Sequence, residues 1–169
     1  MKVFINPGHG GNDTGACGFG LCERDIVLNI GNLTKHYLDR AGFQTRLLQF
    51  DGLDEIVDAA NFFDADIFIS IHCNAFNGVA HGTESFYFYG SKAGARLAAC
   101  INNQITDTIP LVNRGVKTAG FYVLANTFMP AALVETAFID SPQDFDLLKF
   151  RQDDFARAIA CGISDYFSL

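Results

Sequence analysis

Four side chains that suit metal binding or acid–base chemistry stand where regular segments begin or end. His9 follows an apolar, β-forming run and an Asn-Pro-Gly break, while His72 and Glu135 end two later apolar runs. Glu23 opens a segment with helical periodicity. Two imidazoles and one carboxylate make up the His₂Glu set of catalytic zinc sites, in which a fourth position is left for water. We therefore predict a Zn2+ site in which Glu135 accepts a proton from that water. The predicted ligands are His9, Glu23 and His72.

Each predicted ligand, taken alone, has a simpler explanation. A histidine in a glycine-rich turn such as that around His9 is often only a turn residue, and His72 could simply cap a strand. Glu23 suits the first turn of a helix, where the helix dipole favours a carboxylate. Glu135 has no comparable explanation, because burying a carboxylate costs free energy unless it is paired. The coincidence of all four signals favours a functional site.

The alternation of apolar runs and helical patterns predicts an α/β fold. Strands are expected at 3–5, 44–48, 65–72, 83–89 and 121–124, and from Pro130 to an end at Glu135, with a polar loop at 113–120. Helices are expected from Ile26 to a C-cap at Gly42, at 53–63, at 92–105 after an N-cap at Ser91, from Ser141-Pro142 onward, and at 152–167. The isoleucine-rich run at 65–72 is typical of a strand buried on both faces of a parallel sheet. We predict a three-layer α/β/α architecture with a mostly parallel central sheet of about six strands. In such a sheet, strand ends and helix starts meet at one rim, where ligands bind.

Length and composition narrow the class of protein. The 169 residues, with 49% hydrophobic and 18% charged residues, predict one folded domain over 1–169 and exclude a disordered chain. The net charge of -7 and the lack of a Lys/Arg cluster argue against a nucleic-acid partner or an anionic lipid surface. No apolar run approaches the ~18 residues of a membrane span. We expect a monomer.

The five cysteines are an odd number, so a complete disulfide framework is impossible. Cys17 and Cys22 are close enough in sequence for a local bridge or for extra metal ligands. We favour reduced thiols, several of them buried as small apolar side chains. Cys73 follows His72 directly, and neighbouring side chains of a strand point to opposite faces, so we expect no catalytic role for this thiol.

Four sequence blocks together resemble the signature blocks of a known enzyme family. They are Asn6-Pro-Gly-His-Gly-Gly11, Glu23-Arg-Asp25, Ser70-Ile-His-Cys-Asn-Ala75 and Leu133-Val-Glu-Thr-Ala-Phe-Ile139. The family is that of the zinc-dependent N-acetylmuramoyl-L-alanine amidases (Amidase_3), which includes bacterial cell-wall amidases, spore-lysis enzymes and phage endolysins. The resemblance covers effectively the whole chain, including Asn113-Arg-Gly-Val-Lys117. It implies zinc bound by His9, Glu23 and His72, with Glu135 as the catalytic glutamate.

The resemblance implies cleavage of the amide between the lactyl group of N-acetylmuramic acid and the L-alanine of the stem peptide. Peptidoglycan is then the expected partner and the bacterial cell wall the expected place of action. Because Met1-Lys2 leads directly into the first strand, no cleavable signal peptide is expected. That expectation favours synthesis in the cytoplasm, as for an endolysin or a mother-cell enzyme, or an excised domain. Segments 74–82 and 109–120 are too short for a long helix that would plug the site.

Two departures from the family pattern concern substrate contacts. The helix before the His72 strand carries Asp58-Ala-Ala-Asn61 where relatives usually have an arginine, and Ala137 replaces a glycine expected after the catalytic glutamate. Two other functions stay open on the sequence alone. One is a zinc peptidase that acts on peptidoglycan stem peptides, and the other is a non-catalytic wall-binding or metal-sensing module.

Overall fold

A six-stranded central sheet with helices on both faces forms the computed structural model, which describes residues 1–168. Its strands are β1 (Lys2–Pro7), β2 (Cys17–Gly18), β3 (Leu21–Cys22), β4 (Gln44–Leu47), β5 (Ile67–Asn74), β6 (Thr83–Tyr87), β7 (Asn113–Thr118) and β8 (Ala131–Phe138). Its helices are α1 (Glu23–Arg40), α2 (Leu53–Phe63), α3 (Lys92–Thr108), α4 (Tyr122–Asn126), α5 (Phe145–Phe150) and α6 (Gln152–Ser168). The strand order in the sheet is β4-β1-β5-β8-β6-β7, and β2 and β3 form a separate hairpin.

All neighbouring strands of the sheet run parallel except β6 and β8, which are antiparallel. The carboxyl ends of β1, β5 and β8 therefore meet at one rim. Apolar side chains cover both faces of β5, as its isoleucine-rich sequence predicts: Ile67, Phe68, Ile69 and Ile71 are all fully buried. The predicted α/β class and three-layer architecture are confirmed.

Two hydrophobic clusters fill the space between the sheet and its helices. One cluster joins α1, α3 and α6 to the sheet, and the other joins α2 and α4 to the opposite face. Close approach of α6 and α3 requires Gly162, where an added Cβ would lie 2.5 Å from the Ile101 Cα. The predicted caps are also present. Ser91 accepts a hydrogen bond from the Gly94 N–H at 3.1 Å, and Gly42 follows α1 with a φ of +87°.

The sequence predictions are wrong for the segment that follows α3. Residues 113–118 form strand β7 rather than a loop, and the predicted strand at 121–124 is largely the short helix α4. As an edge strand, β7 pairs only with β6 and is only partly buried, so its sequence is polar and lacks an apolar alternation. Val123 and Leu124 are buried against α2 and one face of the sheet. They belong to a helical turn and are not paired with any strand of the sheet.

Smaller differences concern Ser141-Pro142 and the cysteines. Helix α5 begins only at Phe145, because residues 141–144 form a turn in which Ser141 Oγ accepts a hydrogen bond from the Gln143 N–H at 3.2 Å. Cys17 and Cys22 form a disulfide, so the prediction of reduced thiols is wrong for this pair. Within residues 1–168, no helix combines the length and the apolar character that crossing a bilayer demands.

Candidate metal centre

Strand ends and a helix start bring the four predicted site residues to one rim. His72 near the end of β5 is the register partner of Glu135 on β8, so both side chains project from the same face of the sheet. His9 lies two residues beyond β1, and Glu23 is the first residue of α1. His9 has a φ of +59°, a backbone conformation uncommon outside glycine, and this turns its ring back toward the sheet.

The three predicted ligands are in direct contact. Glu23 Oε2 lies 3.0 Å from His9 Nε2, and Glu23 Oε1 lies 2.9 Å from His72 Nδ1. One ligand atom from each residue falls within 4.8 Å of the others. Gly15 leaves room for this contact, because a Cβ there would lie 2.6 Å from Glu23 Oε2 and from His9 Cδ2. The structure thus brings together the residues that the sequence singles out, and their binding of an ion stays a prediction.

Glu23 is held as a carboxylate by its surroundings. It is only 3% exposed, and burial favours the neutral acid, but hydrogen bonds with His72 and His9 outweigh burial and lower its pKa to about 2. The backbone N–H groups of Ala16 and Cys73 also donate to its oxygens, at 3.1 and 3.0 Å. The hydrogen bond with Glu23 is also the main reason that the pKa of His9 rises to about 9, against the opposing effect of burial. The cluster therefore holds a proton, and His9, Glu23 and His72 would have to release it to bind a metal ion.

Asp13 supports His9 from the other side, and the sequence analysis missed it. Its Oδ2 lies 2.7 Å from His9 Nδ1. Its Oδ1 accepts a hydrogen bond from the Gly15 N–H at 2.9 Å. An ionised carboxylate only accepts hydrogen bonds, so Nδ1 carries the hydrogen and Nε2 faces the cluster. A carboxylate behind a histidine ligand is a common way to fix the ring. The signal for it was an aspartate four residues after a histidine in a tight glycine-rich loop.

Glu135 lies beside the cluster without a partner of its own. Its Oε2 atom is inaccessible to solvent and has no hydrogen-bond partner among residues 1–168. Burial is the main reason that its pKa rises to about 7. A carboxyl group that titrates near neutral pH is suited to accept a proton and pass it on. The neighbouring thiol is different: Cys73 is buried, faces Thr136 at 3.4 Å, and burial raises its pKa well above the usual range.

A cavity of about 600 Å³ opens in front of these side chains. Its polar lining includes the predicted ligands, Glu135 and Asn74. Its larger side chains, which we call the apolar wall, are Phe50, Leu53, Ile56, Phe121, Tyr122, Val123 and Leu133. Segments 75–82 and 109–112 contain no helix in the described chain, so neither places a helix over the cavity. The cavity is large enough for several groups of a polymeric substrate.

A mostly parallel α/β/α sheet carries at its rim a His–Glu–His cluster and a partly buried glutamate with one inaccessible, unpaired oxygen, and these are the features of a hydrolytic enzyme with a candidate metal centre. Comparison with known proteins specifies the enzyme further. The chain belongs to the N-acetylmuramoyl-L-alanine amidase family, whose model matches residues 3–165.

Relatives and solved structures agree with this family. The N-acetylmuramoyl-L-alanine amidase LytC of Bacillus subtilis is 38% identical over 174 residues, which cover 98% of this chain and 35% of LytC. The sporulation-specific N-acetylmuramoyl-L-alanine amidase of the same organism is 35% identical, and the match covers 100% of this chain and 69% of that relative. The structure of the amidase AmiC2 of Nostoc punctiforme has a TM-score of 0.95 at 37% identity and covers 100% of this chain and 98% of AmiC2. The chain thus spans about a third of LytC and nearly all of the AmiC2 chain in that structure.

Proposed function

We propose that this chain hydrolyses the amide between N-acetylmuramic acid and L-alanine in peptidoglycan and so acts at the bacterial cell wall. Family membership supports the reaction. The single observation that carries the proposal is the inaccessible Glu135 Oε2, which has no partner among residues 1–168 and lies beside the His–Glu–His cluster. A buried acceptor without a partner has no stabilising role, whereas a water or substrate proton would satisfy it.

The cluster fits a zinc ion better than a hard cation. His9, Glu23 and His72 offer two imidazole nitrogens and one carboxylate, the donor set of catalytic zinc sites with an open position. Magnesium and calcium prefer sites made of oxygen ligands. When bound, zinc lowers the pKa of its water toward ~7 and polarises the scissile carbonyl.

The residues of the chain have separate tasks in this reaction. Glu135 accepts the proton of the attacking water on a carboxylate oxygen and then delivers it to the nitrogen of the leaving L-alanine. Asp13 keeps the hydrogen of His9 on Nδ1, so Nε2 is free to face the metal. Glu23 is held ionised at neutral pH by the two histidines and two backbone N–H groups. The apolar wall lines the same cavity as Glu135, so a substrate bound there would displace water from it.

Analysis of the products of peptidoglycan digestion tests this function. The proposal predicts stem peptides of full length with a free L-alanine amino terminus, together with glycan strands whose lactyl groups are free. Mass spectrometry of both fractions distinguishes these products. Shortened stem peptides would show a peptidase instead, and binding to the wall without any product would show a binding module.

Variants of single histidines relate the products to the proposed site. His72→Ala should abolish both zinc binding and product release. His36 is an exposed histidine on α1 outside the cluster, so His36→Ala is a matched control that should retain both. Full zinc content and full product release in His72→Ala would contradict the ligand assignment.

A further inference from the structure

An ion cluster lies on the same face of the sheet as the catalytic residues proposed above. Glu135 on β8 has two register partners, Glu84 on β6 and His72 on β5. These three side chains therefore form a row across the sheet. On the next strand, β7, Arg114 and Lys117 both contact Glu84. We call Glu84, Arg114 and Lys117 the edge cluster. None of the three is needed for the hydrolytic step described above.

The edge cluster carries more positive than negative charge. Glu84 is only 5% exposed, and both of its oxygens are already occupied. Oε1 accepts a hydrogen bond from the Asn74 side chain at 2.6 Å, while Oε2 accepts from Arg114 Nε at 3.2 Å and also from Lys117 Nζ. Two cations therefore share one carboxylate. The edge cluster therefore has a net positive charge, although the whole chain has a net charge of -7. A local positive charge favours the binding of an anion.

Arg114 is oriented in a way that leaves hydrogen-bond donors available. Its Nε binds Glu84, and its guanidinium carbon lies 4.8 Å from the ring centre of Phe138, which fixes the plane of the group. Its two terminal nitrogens make no hydrogen bond with any residue of 1–168, and its side chain is 33% exposed. Such a planar pair of donors matches the two oxygens of a carboxylate. Lys117 is 43% exposed and adds further donors beside it.

The cavity and the edge cluster are connected through Asn74. This residue lines the cavity, and its side chain donates to Glu84. Phe121, which lines the apolar wall, packs against Phe86 with ring centres 5.4 Å apart, and Phe86 is the register partner of Lys117. A substrate that extends along the sheet from Glu135 thus reaches the edge cluster next.

We propose that Arg114 and Lys117 bind a carboxylate of the stem peptide whose amino terminus is freed at Glu135. This inference rests on the proposed function. From β8 to β7 is a distance of two strands, or roughly 10 Å. An extended peptide covers ~3.3–3.6 Å per residue, so about three residues span that distance. The bound carboxylate therefore belongs to the second or third residue of the stem peptide.

Pairs of substrates that differ in one group separate this role from a purely structural one. The substrates are soluble muropeptides that carry either a free carboxylate or a carboxamide on the second residue of the stem, and a corresponding pair for the third. For one of these pairs, the wild-type chain should hydrolyse the carboxylate form with the higher kcat/KM. Arg114→Gln should lower kcat/KM for that form by roughly tenfold, the scale of one charge-assisted hydrogen bond at a partly exposed position, and change the carboxamide form less than twofold.

Two further variants keep the test decisive if Arg114→Gln folds poorly. Arg114→Lys keeps a positive charge beside Glu84 but loses the paired donors, so it should show a smaller loss on the same substrate. Lys35→Gln removes an ion-paired lysine from α1 and should leave both rates unchanged. Equal losses on the carboxylate and carboxamide forms, or no preference of the wild-type chain in either pair, would overturn the proposed subsite. If the wild-type chain hydrolyses none of the muropeptides, the proposed function itself fails.

Discussion

The two ring nitrogens of His9 face two different carboxylates, and this division organises the candidate metal centre. Nδ1 lies 2.7 Å from Asp13, and Nε2 lies 3.0 Å from Glu23. The Asp13 contact orients a ring whose backbone has a positive φ of 59°. Asp13 is therefore a positioning residue for a metal ligand rather than a ligand itself.

Removal of Asp13 should weaken metal binding without unfolding the chain. Asp13→Ala should lower zinc affinity about 10- to 100-fold, the range typical for a lost partner behind a histidine ligand. Asp13→Asn retains an oxygen acceptor for the Nδ1 hydrogen and should recover part of that affinity. Competition with a chromogenic chelator measures both values. The control is Asp107→Ala, which removes an exposed aspartate from α3. Unchanged zinc affinity in Asp13→Ala would contradict the positioning role.

The raised pKa of Glu135 predicts a pH-dependent stability of the metal-free protein. Its pKa rises from 4.5 to about 7, so its contribution to stability is fully present below pH 4.5 and is lost as the pH rises through about 7. Glu135→Gln cannot ionise and should therefore gain stability relative to the wild type between pH 5 and pH 8, by up to about 3 kcal/mol. Urea unfolding of both chains in chelator measures the difference. The same difference at pH 5 and pH 8 would mean that Glu135 titrates normally.

At the residue scale, the sequence predicts the site residues on strands better than those in the loops between them. His72 and Glu135 are recognisable because each interrupts a long apolar run at the rim of a sheet. Asp13 lies in an irregular loop whose shape depends on glycine conformations and on backbone hydrogen bonds between Gly10 and Asp13, and no periodicity reports these. The contact of Arg114 with Glu84 was not predicted for a related reason, since an edge strand lacks an apolar pattern.

Among the elements, the β2–β3 hairpin is the one that leads directly into the candidate site. Antiparallel pairing places Cys17 opposite Cys22 with their Cα atoms 4.3 Å apart, and Glu23 follows at once. The Glu23 N–H donates to the Ala16 carbonyl at 2.9 Å, just before the hairpin. The odd number of cysteines favours reduced thiols, but it does not show which cysteines lie opposite each other in a hairpin.

The disulfide should stabilise the folded chain measurably. It closes a short loop, with a sequence separation of 5, for which chain entropy predicts roughly 2 kcal/mol. The double variant Cys17→Ser/Cys22→Ser should lose about that much free energy of unfolding in urea. Reductant should destabilise the wild type and leave the double variant unchanged, while Cys161→Ser, at an exposed free cysteine, should behave like the wild type. A wild type that is insensitive to reductant would contradict the disulfide.

The elements after α3 show where pattern-based prediction fails. The apolar run 121–124 has the composition of a strand but becomes the start of α4, because Val123 and Leu124 pack on the sheet face rather than within the sheet. The polar run 113–118 becomes a strand because β6 offers it an unpaired edge. Such outcomes are decided by neighbours far away in sequence, which local propensity does not describe.

At the scale of the whole molecule, two helix layers hold the sheet so that its carboxyl rim stays open. In the layer of α1, α3 and α6, Gly162 of α6 lies close to the α3 backbone, and this contact needs the absence of a side chain. Gly162→Ala would place a Cβ 2.5 Å from the Ile101 Cα, so we expect destabilisation by about 1–3 kcal/mol despite the better helix propensity of alanine. Thermal unfolding measures this change. The neighbouring exposed position gives the control: Cys161→Ala should be neutral, and equal melting temperatures for both variants would contradict close packing of α3 and α6.

The architecture is the property most fully encoded in local sequence. Alternating apolar runs and amphipathic segments predict the three layers and the parallel sheet, and the packing of the buried isoleucines of β5 confirms them. The antiparallel placement of β6 next to β8 is not visible in that alternation. It matters for function, because it places Glu84 beside Glu135 and extends the rim toward Arg114.

The central claim is that Glu135 is the base of a zinc-dependent amidase and not one of its ligands. The most direct measurement is the rate at which Glu135→Gln, loaded with zinc, releases free L-alanine amino termini from peptidoglycan. We expect a rate ~10²–10⁴-fold below that of the wild type, because only the proton acceptor is removed. Zinc content should stay at one ion per chain, and Glu55→Gln, at an exposed glutamate of α2, should retain the full rate. Release at the wild-type rate by Glu135→Gln would contradict the account, and so would loss of zinc from this variant.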